Sequence, residues 1–272
     1  LVIIDEQHKF GVQTREDLIE KARDQDILYL TATPIPRTLQ MLTFGEAQVS
    51  SLKEKPQERK KVITKIVAHH ELDRVFAKMR QVLEANEHIF VVVPAIDSEL
   101  IESNIERVGQ RLKAEGFQPF VLHGKLNDSE RQTVMESFMT ATQGILLATS
   151  MIEVGIDVKT ATMMVIFGAN RFGLSQLHQL RGRVGRSYLQ AFCYLVSDEA
   201  DTRLQVLETI DDGFELSQID LKQRGAGNFL GYEQSGHFKM KFLDLSKDET
   251  ILIYARKDVE LLISTDAFKT DR

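Results

Sequence analysis

The sequence predicts an α/β fold built on parallel sheets, and two patterns indicate it. Short runs of Val, Ile, Leu and Phe alternate with stretches of helical periodicity from the first residue to about residue 197, as expected of successive β-α units. The runs are almost continuously apolar, which is typical of strands covered on both faces. Strands are predicted at 1–4, 27–31, 62–67, 88–93, 118–122, 144–149, 162–167 and 190–196.

Between the strands, apolar side chains recur at helical spacing and predict core-facing stripes that carry no chemistry. One stripe comprises Leu72, Val75, Phe76, Met79, Val82 and Leu83, and another comprises Val134, Met135 and Phe138. After residue 198 the strands stop. Residues 199–236 are expected to form two helices with Gly-rich turns, and a last helix is expected near 249–263.

Composition limits the kinds of protein this chain can be. Its net charge of −6 argues against a generally basic nucleic-acid binder, so any contact with nucleic acid must be local. No apolar run approaches a membrane span and the N-terminus lacks a signal-peptide pattern, so we expect a cytoplasmic protein. Cys193, the one cysteine, lies in an apolar run and is expected to be a buried, reduced thiol.

A polar stretch without apolar periodicity divides the chain into two lobes. Residues 53–60 contain a Pro among charged residues and are interpreted as an exposed linker. Residues 1–52 are then the C-terminal part of a first lobe, and 61–197 a complete second lobe. A helical hairpin at 198–236 and a C-terminal helix with tail at 237–272 follow. Because Leu1 already lies within an apolar strand, residues upstream of it are expected to be missing.

The first strand ends in two carboxylates, Asp5 and Glu6. The carboxyl edge of a parallel sheet is where α/β proteins bind ligands, and this pattern suits Mg²⁺ and ATP. Asp5 would hold the metal ion, and Glu6 would orient the water that attacks the γ-phosphate. Thr31 and Thr33 follow the next strand, where their hydroxyls can report the nucleotide state toward a nucleic-acid groove. A charged turn and a helix N-cap remain the alternatives to these two interpretations.

Two segments of the second lobe complete the pattern. Thr149 and Ser150 end a strand and are expected to contact a phosphodiester backbone, whereas Gly155 and Asp157 turn toward the nucleotide. Residues 181–186 then hold three arginines separated by glycines. Arginine suits bidentate phosphate contact and the stabilisation of charge on a transferred phosphoryl group. Arg183 and Arg186 are therefore the candidate catalytic arginines, with a surface ion pair as the alternative.

In order and type, these segments resemble motifs II, III, V and VI of superfamily 2 helicases. Residues 5–12, 31–38, 171–179 and 214–221 are closer still to the RecG family of ATP-dependent DNA helicases, which process branched DNA and stalled replication forks. The resemblance implies RecA-like lobes, one partial and one complete. It also implies nucleotide contacts from His8 and Gln179, and a DNA contact from His123. It assigns DNA binding or coupling in the helical hairpin to Arg203, Arg224 and Gln234.

The resemblance has one departure and leaves alternatives. Where the RecG family typically has Gly-Pro-Gly-Glu, this chain has Ala226 and Asn228 in place of the Pro and the Glu. The related translocase Mfd, another superfamily 2 helicase acting on RNA, and a non-catalytic scaffold derived from a motor are the rival interpretations. The chain lacks the Gly-x-x-x-x-Gly-Lys-Ser/Thr loop that cradles phosphates, so by itself it is expected to be inactive as an ATPase. The full-length protein would be monomeric, with an N-terminal wedge domain that grips forked DNA.

Overall fold

The structure is a computed structural model of the whole chain. It describes residues 1–5, 18, 20–21, 25–31, 50–52, 60–94, 98–149, 158–199, 201–224 and 248–265. At residues 98–104, 221–224 and 249 it describes the backbone alone. The chain divides into two compact units. One comprises residues 1–51 and 213–272, and the other comprises residues 52–212.

The eight predicted strands are confirmed, each to within two residues at either end. In chain order they are β1 (Val2–Asp5), β2 (Ile27–Leu30), β3 (Ile63–Val67), β4 (His88–Val93), β5 (Pro119–Leu122), β6 (Gly144–Thr149), β7 (Ala161–Phe167) and β8 (Phe192–Val196).

Seven α-helices lie within the described residues, and two of them carry the predicted core-facing stripes. They are α1 (Leu72–Glu84), α2 (Ser98–Ala114), α3 (Asp128–Thr140), α4 (Leu174–Arg181), α5 (Thr202–Thr209), α6 (Gly213–Arg224) and α7 (Glu249–Ser264). In α1 five apolar side chains of the stripe are buried, and in α3 Phe138 is fully buried. Within the described residues, no helix combines the length and the apolar character needed to cross a bilayer.

Residues 52–212 contain a six-stranded sheet in which every neighbouring pair is parallel. The strand order is β3-β8-β7-β4-β6-β5. The inner strands β4, β6 and β7 are buried at every position, as predicted for strands covered on both faces. Because the strands are parallel, all their carboxyl ends lie at one edge of the sheet and all their amino ends at the opposite edge. This confirms the predicted α/β class.

Strands β1 and β2 pair in parallel as a two-stranded sheet in the other unit. Here the expectation of strands covered on both faces is wrong. Ile3 is 58% exposed, and Leu28 and Leu30 are also exposed, whereas Ile4 is buried. The exposed side chains alternate along each strand because successive residues point to opposite faces of the sheet.

The single cysteine is part of the core of the larger unit. Cys193 lies on β8, is 1% exposed and is a free thiol. Burial raises its pKa to about 12, so the nucleophilic thiolate is scarce at neutral pH. The predicted role as a buried, reduced thiol is confirmed.

A buried histidine stands at the start of the central strand β4. The His88 ring is 3% exposed and packs edge-on against the Phe138 ring at 4.9 Å. Its Nε2 lies 3.2 Å from the Phe138 carbonyl oxygen and its Nδ1 lies 2.9 Å from the Thr160 hydroxyl. Because a carbonyl only accepts, Nε2 carries the proton and Nδ1 accepts from the hydroxyl. Burial lowers the pKa of His88, although the Phe138 carbonyl acts in the opposite direction.

We predict that the fold loses stability as the pH falls below about 6.5, the ordinary pKa of histidine. The lowered pKa means that the unfolded chain takes up a proton at His88 before the folded chain does, so acid favours unfolding. Urea unfolding of the wild type and of His88→Gln at about pH 7.5 and about pH 5.5 checks this, because the glutamine amide can still donate to the Phe138 carbonyl but does not titrate. The wild type should lose more free energy of unfolding than the variant, and equal losses would contradict the prediction.

Candidate functional site

The predicted metal ligand lies at the carboxyl end of β1. Asp5 is exposed and is paired in the strand register with Leu30, the last residue of β2. Thr31 follows directly and is also exposed, so the sheet brings the Asp5 and Thr31 positions to the same edge. An exposed carboxylate oxygen at this edge is the kind of ligand that Mg²⁺ takes. Glu6, His8 and Thr33 lie outside the described residues.

The two candidate catalytic arginines lie in the loop between α4 and β8. Helix α4 ends at Arg181, and Gly182 closes it. Arg183 is half-buried, whereas Arg186 is exposed. The Arg186 Nε donates to the Gly182 carbonyl oxygen over 3.3 Å. This contact folds the loop back on the end of the helix.

Gly185 fixes where this loop lies. Its φ of +69° is in the left-handed region, where a side chain is strained. A Cβ built there would lie 3.0 Å from the Ala191 Cβ and 3.3 Å from the Val62 Cγ2. The Gly185 amide also donates to the Ala161 carbonyl at the start of β7, over 3.2 Å. The arginine loop is therefore held against the amino edge of the sheet.

The other predicted nucleotide contacts are only partly described. Gln179 is half-buried on α4, one turn before the loop. Gly155 and Asp157 lie outside the described residues. The described chain resumes at Val158, whose carbonyl accepts from the Ala161 amide over 2.9 Å. The Ala161 carbonyl also accepts the hydrogen bond from the Gly185 amide. The chain at Val158 and the arginine loop therefore both contact the start of β7.

Two predicted DNA contacts lie at the opposite, carboxyl edge. Leu122 on β5 pairs with Ala148 on β6, so the next residues, His123 and Thr149, stand at neighbouring positions. His123 is half-buried, but Thr149 is 2% exposed and offers little surface to a ligand. Ser150 lies outside the described residues. Among the described residues of the larger unit, the arginine loop therefore meets the amino edge of the sheet, whereas His123 and Thr149 stand at the carboxyl edge.

The turn that carries His123 is braced from the following helix. The Arg131 guanidinium on α3 donates to the Gly124 carbonyl oxygen over 2.9 Å. Asn127 caps the same helix by accepting from the Glu130 amide over 2.9 Å, and the Glu130 carboxylate accepts from the Asn127 amide in return. Such a reciprocal cap satisfies two backbone amides at the start of the helix, and together with Arg131 it anchors the turn to α3.

Arg203, a predicted coupling residue, is engaged in contacts inside its own unit. Its Nε and Nη2 contact the Asp201 carboxylate at 3.0 Å and 2.6 Å respectively. The same Nη2 donates to the Asn170 carbonyl oxygen over 2.9 Å. These contacts brace the start of α5 against the turn after β7. The Arg224 side chain and Gln234 lie outside what the structure describes. The division between units falls after Asp212, so α5 and α6 belong to different units, and the predicted hairpin stays a prediction.

Sequence analysis gave no role to Arg181, the first of the three clustered arginines. It is 3% exposed, and its Nη1 donates to the carbonyl oxygens of Leu207 and Ile210 over 2.8 Å and 3.1 Å. Burial lowers the pKa of this guanidinium, and the Asp211 carboxylate opposes that effect. The signal was in the sequence: Arg181 follows Leu177 by four residues, which places it on the buried face of α4.

No group of three or more His, Cys, Asp or Glu side chains is arranged to hold a metal ion within the described ranges. His123 and His178 therefore have no such set around them there. His178 instead contacts Arg181, with its Nδ1 at 3.0 Å from the guanidinium Nη2.

Two known protein families match parts of the chain. Residues 71–188 match the helicase conserved C-terminal domain. Residues 210–271 match the family described as ATP-dependent DNA helicase RecG, domain 3, C-terminal. The first match lies within the larger unit, and the second begins close to the division after Asp212.

Curated relatives extend the similarity to almost the whole chain. The ATP-dependent DNA helicase RecG of Bacillus subtilis is 43% identical over 98% of this chain. RecG of Staphylococcus aureus is 41% identical over the same share. The chain is a homologue of the RecG helicases. It spans 41% of the length of the first relative and 40% of the second, so it corresponds to about two fifths of a RecG protein.

Solved structures give the same result. The structure of RecG bound to a three-way DNA junction matches with a TM-score of 0.71 and 38% identity, over 92% of this chain and 33% of that one. The yeast protein Dbp5 bound to RNA and ADP BeF3 matches with a TM-score of 0.53 and 14% identity, over 94% of this chain and 62% of that one. At that identity Dbp5 shows the shared fold alone. The helicase-type α/β fold expected from the RecG resemblance is thus confirmed.

We predict that Gly185→Ala lowers the free energy of unfolding by about 2 kcal/mol or more, because it combines a strained φ with a Cβ that is too close to Ala191 and Val62. Gly116→Ala is the matched control, since Gly116 has a φ of +86° with nothing within 4 Å of the added Cβ. The control should cost about 1 kcal/mol. Urea unfolding of both variants measures the difference, and equal losses would show that the loop is not tightly packed.

Proposed function

We propose that this chain is the motor portion of an ATP-dependent DNA helicase that acts on branched DNA. Homology to RecG over nearly the whole chain supports the class. The observation that carries the proposal is the loop at the amino edge of the larger sheet. Gly185 holds it in place, and it presents the exposed Arg186 next to the half-buried Arg183. A cation held on a fixed loop suits the charge that develops during phosphoryl transfer.

In the proposed reaction, different residues of the chain bind the metal ion, orient the water and stabilise the transferred phosphate. Asp5 would hold Mg²⁺, which neutralises phosphate charge when it is bound, and Glu6 would orient the attacking water. Arg183 and Arg186 would stabilise charge on the γ-phosphate as it is transferred. His8, Gln179, Gly155 and Asp157 would contact the nucleotide. The exposed carboxylate of Asp5 and the exposed guanidinium of Arg186 support these assignments.

We assign DNA contact to the carboxyl edge of the larger sheet and to the segments beyond it. His123 stands in a turn that is held by Arg131 and by the cap of α3. A fixed turn suits a residue that contacts a phosphate backbone at a defined position. Thr31, Thr33 and Ser150 are proposed to contact the DNA backbone or to sense its presence. Thr149 is proposed to contact DNA through its backbone, because its side chain is buried. Arg203, Arg224 and Gln234 are proposed to couple hydrolysis to movement. The contact of Arg203 with the Asn170 carbonyl supports a role in holding α5 against the turn after β7 during that coupling.

The wider role follows from the family. The solved RecG relative is bound to a three-way DNA junction, so branched or forked DNA is the proposed substrate. Remodelling of stalled replication forks in recombination and repair is the proposed cellular task. We propose that the complete protein works in the cytoplasm as a monomer, with an N-terminal wedge and further first-lobe residues in the same polypeptide.

The test replaces Arg186 by Ala in the complete protein. Loss of the guanidinium should lower kcat for DNA-stimulated ATP hydrolysis by about 10²-fold or more, with a smaller effect on KM, because the contact matters most in the transition state. Arg80→Ala is the control. Arg80 is an equally charged residue on α1 whose exposed ion pair with Glu115 should cost less than about 1 kcal/mol. Equal kcat values for the two variants would refute the catalytic role of Arg186.

Two further experiments identify the nucleic-acid substrate and show whether the 272-residue polypeptide alone hydrolyses ATP. Forked DNA, linear duplex and RNA are compared as activators of the complete protein. Strongest stimulation by forked DNA supports the proposal, whereas linear duplex would favour a translocase like Mfd and RNA would favour an RNA helicase. No stimulation at all would favour a scaffold. The 272-residue polypeptide alone contains no Gly-x-x-x-x-Gly-Lys-Ser/Thr loop and should show negligible hydrolysis.

A further inference from the structure

The strand that contacts the arginine loop is irregular at its start. The register of β7 against β4 shifts directly after the pair that Ala161 forms with His88. Thr162, the next residue of β7, therefore has no partner on β4 and forms a bulge. A bulge bends its strand and re-aims the residues beside it, and bulges are frequent next to functional sites. This bulge adjoins Ala161, whose carbonyl oxygen accepts from the Gly185 amide over 3.2 Å.

Two consecutive residues at the point where the chain enters β4 hold the bulge. The Glu87 carboxylate accepts from the hydroxyl of Thr162, which is completely buried. The His88 Nδ1 accepts from the Thr160 hydroxyl over 2.9 Å, and the His88 amide donates to the Thr160 carbonyl oxygen over 2.9 Å. The residues on both sides of Ala161 are therefore tied to the start of β4, which gives the Ala161 carbonyl a defined position.

His88 is itself held in one orientation. Its ring is buried, stands edge-on to the Phe138 ring and has its Nε2 3.2 Å from the Phe138 carbonyl oxygen. Because both ring nitrogens have partners, the ring cannot turn without leaving a buried polar atom unpaired. The core of the larger unit therefore fixes Thr160 through His88.

The turn at 158–161 also adjoins the second candidate nucleotide segment. The Ala161 amide donates to the Val158 carbonyl oxygen over 2.9 Å. In the sequence, Val158 directly follows Asp157, a predicted nucleotide contact. The residue that accepts the Gly185 amide is thus hydrogen-bonded to the end of that segment as well, so one turn supports both.

We propose that His88 and Thr160, together with the bulge at Thr162, position the arginine loop for ATP hydrolysis. His88 and Thr160 are positioning residues that act through Ala161 and Gly185, and the contact with phosphate is left to the arginines. The proposal rests on the proposed function, because it concerns the placement of the arginines that stabilise the transferred phosphate. Small displacements of such a group have large effects on rate, since the transition state requires a defined geometry.

The proposal is tested with Thr160→Val in the complete protein. Valine keeps the branched shape of threonine and removes the hydroxyl that donates to His88. Because Thr160 is exposed, the variant should fold. We expect kcat for DNA-stimulated ATP hydrolysis to fall about fivefold or more, while KM for ATP stays within about twofold of the wild type, since a displaced arginine loop weakens the transition state most.

Two further variants at threonine positions serve as controls. Thr160→Ser keeps the hydroxyl and should retain kcat within about twofold of the wild type. Thr133→Val makes the same change as Thr160→Val at an exposed residue of α3, whose hydroxyl donates to the Ser129 carbonyl oxygen over 2.9 Å. It should leave kcat unchanged. Equal kcat values for Thr160→Val and Thr133→Val would overturn the proposal.

His88→Gln separates positioning from direct contact with ATP. The glutamine amide can still donate to the Phe138 carbonyl but has no acceptor in place of the His88 Nδ1. It should lower kcat by about the same factor as Thr160→Val, and the double variant should lose no more than either single variant, because both changes break one contact. A loss of kcat in Thr160→Val that His88→Gln does not share would overturn the positioning role.

Hydrogen exchange separates failure of this proposal from failure of the proposed function. In the complete protein without ATP or DNA, the amides at 183–187 should exchange faster in Thr160→Val than in Thr133→Val, whatever reaction the protein performs. Unchanged exchange would overturn the positioning role even in an active helicase. Faster exchange in a protein that hydrolyses no ATP would refute the proposed function and the catalytic consequence with it, while leaving the link between Thr160 and the arginine loop established.

Discussion

The parallel register of the six-stranded sheet is the constraint on which the larger unit depends. Strands β4, β6 and β7 are buried at every position, so their backbone groups must pair within the sheet, and they pair in parallel. Parallel pairing then forces every strand to end at the same edge. The arginine loop meets the amino edge through Gly185, and His123 follows β5 at the carboxyl edge. The separation of the two candidate sites is therefore a consequence of sheet direction.

Three arginines are clustered at 181–186 in a chain that is acidic overall. The chain carries a net charge of −6, which opposes general attraction to nucleic acid. Its clustered arginines have different environments: Arg181 is buried behind the loop, Arg183 is half-buried and Arg186 is exposed. Adjacent residues of one type thus serve different purposes. The buried one donates to carbonyl oxygens at the end of a helix, and the exposed one lies at the protein surface.

Much of the fold was predictable because apolar runs and helical stripes are direct consequences of burial. The eight strands and the stripe of α1 followed from that pattern. The exposure of Ile3 and Leu28 was not predictable, since it depends on which segments pack against a strand rather than on the composition of the strand. The buried role of Arg181 and the contacts of Arg203 were also missed, because a motif identifies residue types and not the partners of each side chain. Helix periodicity around Leu177 would have pointed to the burial of Arg181.

The most direct test of this account is hydrogen exchange of the complete protein with a non-hydrolysable ATP analogue alone and with forked DNA alone. The account predicts that the analogue slows exchange at residues 182–187, at the amino edge, and that DNA slows exchange at residues 122–126, at the carboxyl edge. Protection of both segments by the same single ligand, or the reverse assignment, would contradict the separation of nucleotide and DNA sites on opposite edges of the sheet.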